Sequence, residues 1–278
     1  MNFPKQTKTP HVALSRALTS IALALFAVLA SPGHAQATTV HCMPFNGEQM
    51  VFSTGWEFIN AGTADMRIET SPSGYRVLSH GISNKFLDMF HKVRDTIISE
   101  GECTDHQLQS TLFDIEQNEG TYHSKKQVRF LWRDKLVTHT QNGKTDKYSV
   151  PPGHLNAIDA FFRVRKMQLK PGMKLHIPIF DSRKQYEIEV DVLKREKLFA
   201  PWGKSVDCLL IIPRLKTKGI FSSKGTVKLW LTDDARHIPL KMTAKVKIGR
   251  IVAKLESYRA GDASNMAVVK SRISGKQP

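Results

Sequence analysis

The chain has 278 residues, 41% of them hydrophobic, and carries 41 Lys and Arg against 25 Asp and Glu, a formal net charge of +16. That apolar content is enough to bury a sizeable core, which excludes a disordered chain and a miniprotein held by disulfides alone. Three cysteines also exclude a four-cysteine zinc site.

The first element is an export signal over residues 1–35. Lys5, Lys8 and Arg16 form a positive leader, and Ala17 to Ala30 is an apolar run of 14 residues. Small residues follow, with Gly33-His34-Ala35 and Ala35-Gln36-Ala37 both suited to cleavage. A membrane-spanning helix needs about 20 apolar residues, so the run is short for an anchor. The expectation is a cleaved signal and a periplasmic mature protein; the alternative is membrane association through an uncleaved signal. Lipid attachment at Cys42 is disfavoured, because Thr39-Val40-His41 precede it in place of small residues. Cleavage removes three positive charges and no acid, leaving about +13.

Export allows disulfides. Cys42 and Cys103 sit in polar, loop-like surroundings and form the candidate pair. Cys208 lies in the apolar run Val206 to Ile212 and reads as a core thiol. Spacing alone does not fix connectivity, so three unpaired thiols stay open as the alternative.

Beyond a flexible N-terminus at 36–44, period-2 alternation predicts strands in one β-rich domain over 45–259. Glu48 to Phe58 and Gly62 to Ile68 flank a turn at Asn60-Ala61-Gly62. Gly74 to Ser79, Val93 to Ser99, Thr121 to Trp132 and Lys174 to Phe180 continue the pattern. In Gln185 to Leu193, Ile188, Val190 and Val192 share one face and Glu187, Glu189 and Asp191 the other, a half-solvated antiparallel strand. Helical spacing of Leu155, Ile158, Phe161, Phe162 and Arg165 interrupts the strands over His154 to Met167, with Asn156 as N-cap and Asp159 three residues on. Pro151 to Gly153 is the one plausible sub-domain boundary, and a continuous sheet across it is favoured.

The last third holds Thr226 to Thr232, His237 to Ile248 and Ile251 to Tyr258. Gly249-Arg250 suits a two-residue type II′ hairpin. In the middle strand Leu240, Met242 and Ala244 point inward, and Lys241, Thr243 and Lys245 outward. The tail 260–278 is polar, aperiodic and expected to be mobile. The fold class is mainly β: a curved antiparallel sheet or open β-barrel with one short helix packed against or plugging it.

Several segments carry a family resemblance. They are Gly47-Glu48-Gln49-Met50-Val51-Phe52, Gly55-Trp56, Ala61-Gly62-Thr63-Ala64, the helix Leu155 to Arg165, and Pro201-Trp202-Gly203-Lys204 followed by Cys208-Leu209. The most specific pieces are Gly219-Ile220-Phe221, Lys224-Gly225, the run Val227 to Asp234, Arg236, Ile238-Pro239-Leu240 and Ile248-Gly249-Arg250-Ile251. From about Phe45 to Tyr258 the chain resembles domain-of-unknown-function family 3108, an exported bacterial group. The resemblance implies an exported, mainly β envelope protein and no catalytic residues. The architecture also looks like the incomplete barrels of lipoprotein-sorting factors, a fold-level analogy only.

Asp233-Asp234-Ala235-Arg236-His237 is the densest polar cluster. It offers an acid/base set or a hard-metal site, but a turn between two strands explains it better. The histidines show no metal-binding spacing, and neither a nucleophile elbow nor a phosphate loop is present. With Asp233 to Arg236 as hairpin loop, Lys228 is expected opposite Lys241, and the Gly249-Arg250 turn sets Lys245 opposite Lys254. With Lys247 these make a positive stripe that is either a solvated face or an anion site. Trp230 shares that face, as a contact or a covered side chain. Phe161 and Phe162 on the helix are candidate cavity residues.

The leading expectation is non-catalytic binding of an apolar or amphiphilic ligand. Lys228, Trp230, Lys241, Lys245, Lys247, Lys254, Phe161 and Phe162 are its candidate contacts. An interaction scaffold for an envelope protein, docking through the basic face, is the alternative, and a hydrolase of envelope polymers ranks third. No cofactor, metal or nucleic-acid partner is expected; a lipid or anionic envelope component is.

Overall fold

The computed structural model describes residues 42–56, 59–181, 183–217, 220–221, 227–245 and 249–261. The expected export signal and Lys247 lie outside these residues. The strands are β1 (Gln49–Trp56), β2 (Ile59–Thr70), β3 (Gly74–Ser83), β4 (Arg94–Thr104), β5 (Gln107–Glu119), β6 (Tyr122–Leu131), β7 (Leu136–Gln141), β8 (Lys144–Ser149), β9 (Lys174–Asp181), β10 (Lys184–Phe199), β11 (Ser205–Thr217), β12 (Ile220–Phe221), β13 (Val227–Thr232), β14 (Pro239–Lys245) and β15 (Arg250–Arg259). Two α-helices interrupt them, a single turn α1 (Lys85–Asp88) and the longer α2 (Ala157–Lys166).

Fourteen strands lie side by side in the order β8-β7-β6-β5-β4-β3-β2-β1-β15-β14-β13-β11-β10-β9, with β12 paired to β11. Every neighbour is antiparallel. β1 pairs with β15, so the beginning and end of the domain meet in mid-sheet. The outer strands β8 and β9 approach without forming a ladder. Gln185 donates to the Ser149 carbonyl at 2.8 Å, the Tyr148 and Phe180 rings are 5.4 Å apart, and Lys126 reaches Asp181 at 3.1 Å. The β9 edge is covered by Leu155, whose N–H and C=O bond the backbone of Pro178 and Phe180 at 3.0 Å, so that edge is not left as a template for another chain. The result is an open barrel, as expected from the alternating pattern.

Antiparallel pairing puts alternate strand termini at two distinct ends. One end collects the start of β1, the end of β4 and the end of β15. Cys42 and Cys103 are joined there by a disulfide, Cα–Cα 5.4 Å. Cys42 and Met43, within the expected lead-in at 36–44, lie in the buried core together with Phe45 just beyond it. Gly261 packs so closely on Asn46 that a Cβ there would sit 2.1 Å from the Asn46 carbonyl oxygen.

Helix α2 forms where expected. Asn156 adopts extended backbone at the cap and its side chain accepts from the Asp159 N–H at 3.0 Å. Arg163, Arg165 and Lys166 occupy the last turn, where positive charge complements the helix dipole. One tight fit fixes the neighbouring wall. Tyr75 pairs across strands with Gly101, and a Cβ at Gly101 would lie 2.1 Å from the Tyr75 hydroxyl.

Candidate ligand-binding cavity

Strand alternation turns every second side chain inward. Met50, Phe52 and Thr54 from β1 do so together with Ala64 and Met66 from β2, Ile188 and Val190 from β10, Ile211 and Pro213 from β11, and Leu229, Met242 and Ala253 from the last strands. Across from them one face of α2 presents Ala157, Ile158, Phe161 and Val164. These residues do not meet. They enclose an apolar cavity of about 510 Å³, a volume within the ligand-pocket range of about 300–1,000 Å³. The end of the barrel away from the disulfide carries exposed Trp56 and Ile59 at the β1–β2 turn and exposed Phe86, Met89 and Phe90 around α1.

Two buried polar clusters hold α2 at this distance from the wall. At its N-terminus Asp159 is fully buried. Its carboxylate accepts from Ser99 Oγ at 2.7 Å, from Asn156 Nδ2 at 2.9 Å and from Ser110 Oγ. Ser110 Oγ in turn accepts from the Asn156 N–H at 3.0 Å, and Trp132 Nε1 donates to the Ser110 carbonyl at 2.7 Å. Burial pushes the Asp159 carboxyl up to about 6, against the downward pull of its hydrogen-bond donors. The neighbouring Tyr75 hydroxyl is buried without a hydrogen bond, and burial together with the Asp159 charge raises its pKa.

At the C-terminus Arg165 is wholly buried and grips Glu48 with two bonds of 2.7 and 2.8 Å. Its remaining donors reach the His237 carbonyl at 3.1 Å and the Arg236 carbonyl at 3.0 Å. Tyr258 donates to Glu48 at 2.9 Å, and the Phe45 ring lies 4.1 Å from the guanidinium carbon. Burial, then the Glu48 charge, raises the Tyr258 pKa. His237 Nδ1 donates to the Arg165 carbonyl at 2.8 Å, and burial lowers its pKa. One side chain thus ties α2 to the start of β1 and to the loop before β14. Sequence reasoning placed Arg165 on the apolar stripe of the helix without giving it a role. A charge on an otherwise apolar face is the signal that a buried partner exists.

The expected site residues divide. Phe161 lines the cavity. Phe162 does not: it is buried at the closed end, its ring 5.7 Å from Phe45. Trp230 lies on the outer face and is covered, with Nε1 donating to Glu196 at 2.6 Å and Lys241 Nζ 4.9 Å from the ring centre. The Trp230 bond, then Lys194, lowers the Glu196 pKa.

The expected register of the lysines is corrected. A bulge between Trp230 and Leu231 moves Lys228 opposite Thr243 and Trp230 opposite Lys241. Gly249, at φ +73, directly precedes β15, to which Arg250 already belongs. Lys241 therefore faces Lys254, and Lys245 faces Arg250. Like charges still oppose each other, on the side of the wall opposite Leu229, Met242 and Ala253, and Lys241 also borders the apolar cavity as expected of it. The outer face of β10 also differs from a half-solvated one. Glu189 and Asp191 are buried beneath Lys174, at 3.3 and 2.9 Å, and Asp191 also meets Arg214 at 3.1 Å.

The polar cluster before β14 is a turn. Asp234 accepts from the N–H groups of Arg236 and His237 at 2.9 and 3.1 Å and from Thr232 Oγ1 at 2.9 Å, and Asp233 pairs with Arg195. These bonds point the carboxylates at backbone and surface charge, away from the His237 ring, which faces Arg165. Among the described residues no group of three His, Cys, Asp or Glu side chains could hold a metal ion, and no helix is long and apolar enough to cross a membrane.

An incomplete antiparallel barrel with an internal helix and an apolar cavity defines the class as β-barrel-like. A family model described as protein of unknown function (DUF3108) matches residues 51–256, and the chain belongs to that family. A β-barrel-like protein of domain of unknown function DUF1849 from Brucella abortus shares the fold, with TM-score 0.55, 10% identity and coverage of 77% of this chain and 98% of that one. Two further structures align more loosely. An exported protein with a YmcC-like fold from Bacteroides fragilis gives TM-score 0.29 at 12% identity, covering 77% and 96% of the two chains. A lipoprotein from Parabacteroides distasonis gives 0.30 at 11%, covering 79% and 99%. No protein of curated function matches the sequence.

Proposed function

We propose that this protein is an exported, non-catalytic carrier that binds an apolar or amphiphilic, lipid-like ligand between α2 and the barrel wall. The apolar cavity carries this reading. The lining is almost wholly hydrocarbon and stands exposed unless something covers it, and apolar surface left in water is unfavourable by about 25 cal/mol per Å². Water is a poor occupant, because the walls offer almost no hydrogen-bond partners. An acyl or similar chain would gain about 0.8 kcal/mol for each CH₂ it buries. The exposed Phe86, Met89 and Phe90 stand at the end where such a chain would enter. The Cys42–Cys103 disulfide supports an oxidising compartment such as the periplasm. Native mass spectrometry of protein purified from the periplasm tests the reading. A co-purified lipid, or saturable uptake of a fluorescent fatty acid, is expected; neither being seen would reject it.

A second reading rests on the outer face, where Lys241 opposes Lys254 and Lys245 opposes Arg250. Like charges directly across strands are destabilising, and an acidic envelope protein docked there would relieve them. In-cell crosslinking should then trap a defined partner that the Lys241→Glu, Lys245→Glu variant loses. Retention of the crosslink in that variant would reject the surface.

A further inference from the structure

A separate, solvent-open chamber of about 280 Å³ lies against the face of β5–β7 that carries His139, lined by Gln117, Ser124, Lys126, His139, Gln141 and Arg183. Its lining differs from that of the apolar cavity in kind: no carboxylate and no hydrocarbon side chain contributes to it. His139 is completely buried, and its Nε2 has no hydrogen-bond partner. The Nδ1 atom of His139 lies 3.4 Å from Arg183 Nε; arginine can only donate, which favours the neutral imidazole with its proton on Nε2. Burial, then the charges of Arg183 and Lys126, lowers the pKa of this ring, which keeps it in that neutral form. A buried N–H is thus left without an acceptor, an arrangement that folded proteins rarely keep.

The cations beside it are held in place from outside the chamber. Lys126 Nζ is braced by Asp181 at 3.1 Å and Arg183 by Asp146 at 3.4 Å. Ser124 and Gln141 are linked to each other at 3.4 Å, and Gln117 is turned toward Glu119 at 3.1 Å. An acceptor rich in oxygen and negative in charge satisfies this set; an apolar group or a cation does not.

We infer that the chamber is an oxyanion site of the phosphate class, in which His139 Nε2–H donates to the anion and Lys126 and Arg183 supply the opposing charge. Two sources carry this chemistry: free phosphate, and the phosphate headgroup of an amphiphile. The site also has the right neighbour for the second source. Lys126 stands in the same cross-strand row as Ile115 and Ile97, and Ile97 lines the apolar cavity. At a strand spacing of about 4.8 Å, headgroup and tail would be separated by the width of two strands. The site itself stands without the carrier reading; only its headgroup source rests on it.

The test uses the full mature chain and the ¹⁵N-edited side-chain NMR signal of His139 Nε2, with inorganic phosphate, dihexanoyl phosphatidate and dihexanoylglycerol as probes. Saturable shifts with both phosphate and phosphatidate support a site open to free anion. A response to phosphatidate alone supports headgroup recognition. Arg183→Gln and Lys126→Gln, both at partly exposed positions, should each weaken phosphate-group binding by at least about tenfold. They should leave binding of a neutral naphthylamine probe in the apolar cavity unchanged. If no phosphate-bearing probe moves the His139 signal, or if binding persists in both variants, the inference is overturned. Loss of the naphthylamine signal alone would overturn the carrier reading and leave the oxyanion site standing.

Discussion

Filling the apolar cavity should stabilise the protein and weaken its ligand. Ala64 on β2 and Ala157 at the start of α2 both line the void, and a larger apolar side chain at either would extend into it. Leucine at either site adds about three carbons. At about 0.8 kcal/mol per buried CH₂ the ceiling is roughly 2.4 kcal/mol, and partial exposure through the open end reduces this to about 1–2 kcal/mol per site. The residues lie on separate elements, so the gains should add to about 2–4 kcal/mol in Ala64→Leu, Ala157→Leu. The ligand loses the same contact volume, and its affinity should fall by about tenfold per site. Urea unfolding reads the first effect as a higher midpoint at unchanged slope. Displacement of an apolar fluorescent probe reads the second. A stabilised double variant that binds the probe as tightly as the parent would show that the ligand sits elsewhere. A destabilised one would show that the walls already touch.

Three further outcomes concern the two clusters that hold the helix and the disulfide at the closed end. Arg165→Met strands the buried Glu48 carboxylate with Tyr258 as its remaining partner and should cost about 3–5 kcal/mol in urea unfolding; Glu48→Leu added to it should recover most of that, and a cost below about 1 kcal/mol would refute the pairing. Asp159 has a folded pKa of about 6 against an ordinary 3.8, so the folded state prefers the protonated form. Its contribution is fully present below about pH 4, is lost as pH rises to about 6, and is flat above; the shift corresponds to roughly 3 kcal/mol. Asp159→Asn should remove that slope from the pH dependence of the unfolding midpoint, and an unchanged slope would refute it. Cys42 and Cys103 are 61 residues apart, and replacing both with alanine should lower stability by about 4 kcal/mol by loop-closure entropy; a loss under about 1 kcal/mol in denaturant titration would show that the closed end is held without the bond.

The strands were legible where one face is apolar and the other charged. β13, β14 and β15 appear near their expected bounds; β10 starts as expected, since alternation survives in Ile188-Glu189-Val190-Asp191, but runs on from Leu193 to Phe199, where charged residues interrupt the pattern. β5, β7 and β8 were missed. β7 and β8 are short and polar, and the inner face of β5 mixes Ser110 and Gln117 with Phe113 and Ile115, so their alternation carries no hydrophobic contrast. Register was less legible than strand position. One bulge at Trp230/Leu231 displaced the predicted lysine pairs, because a bulge shifts every partner beyond it. The helix and its cap were read correctly from Asn156 and the 3.6-residue spacing. The cavity was not legible at all: a stripe of Ala157, Ile158, Phe161 and Val164 looks the same whether it touches the opposite wall or stands off from it.

What holds it off is the polar chemistry at its two ends. Buried ion pairs and carboxylates seldom add net stability, and well-packed apolar replacements are often neutral or better. The Arg165–Glu48 and Asp159–Ser99–Ser110 clusters are therefore better explained by what they position than by what they stabilise. Each bond is directional, and between them they fix α2 at its two ends. With apolar anchors at those points the helix could slide toward Ala64 and Ala253 until the void closed, since burying that surface is favourable at every step. Directional anchors oppose that collapse. On this argument, replacing both clusters with hydrophobic residues should give a protein that is as stable as the parent or more so, and that has lost its cavity.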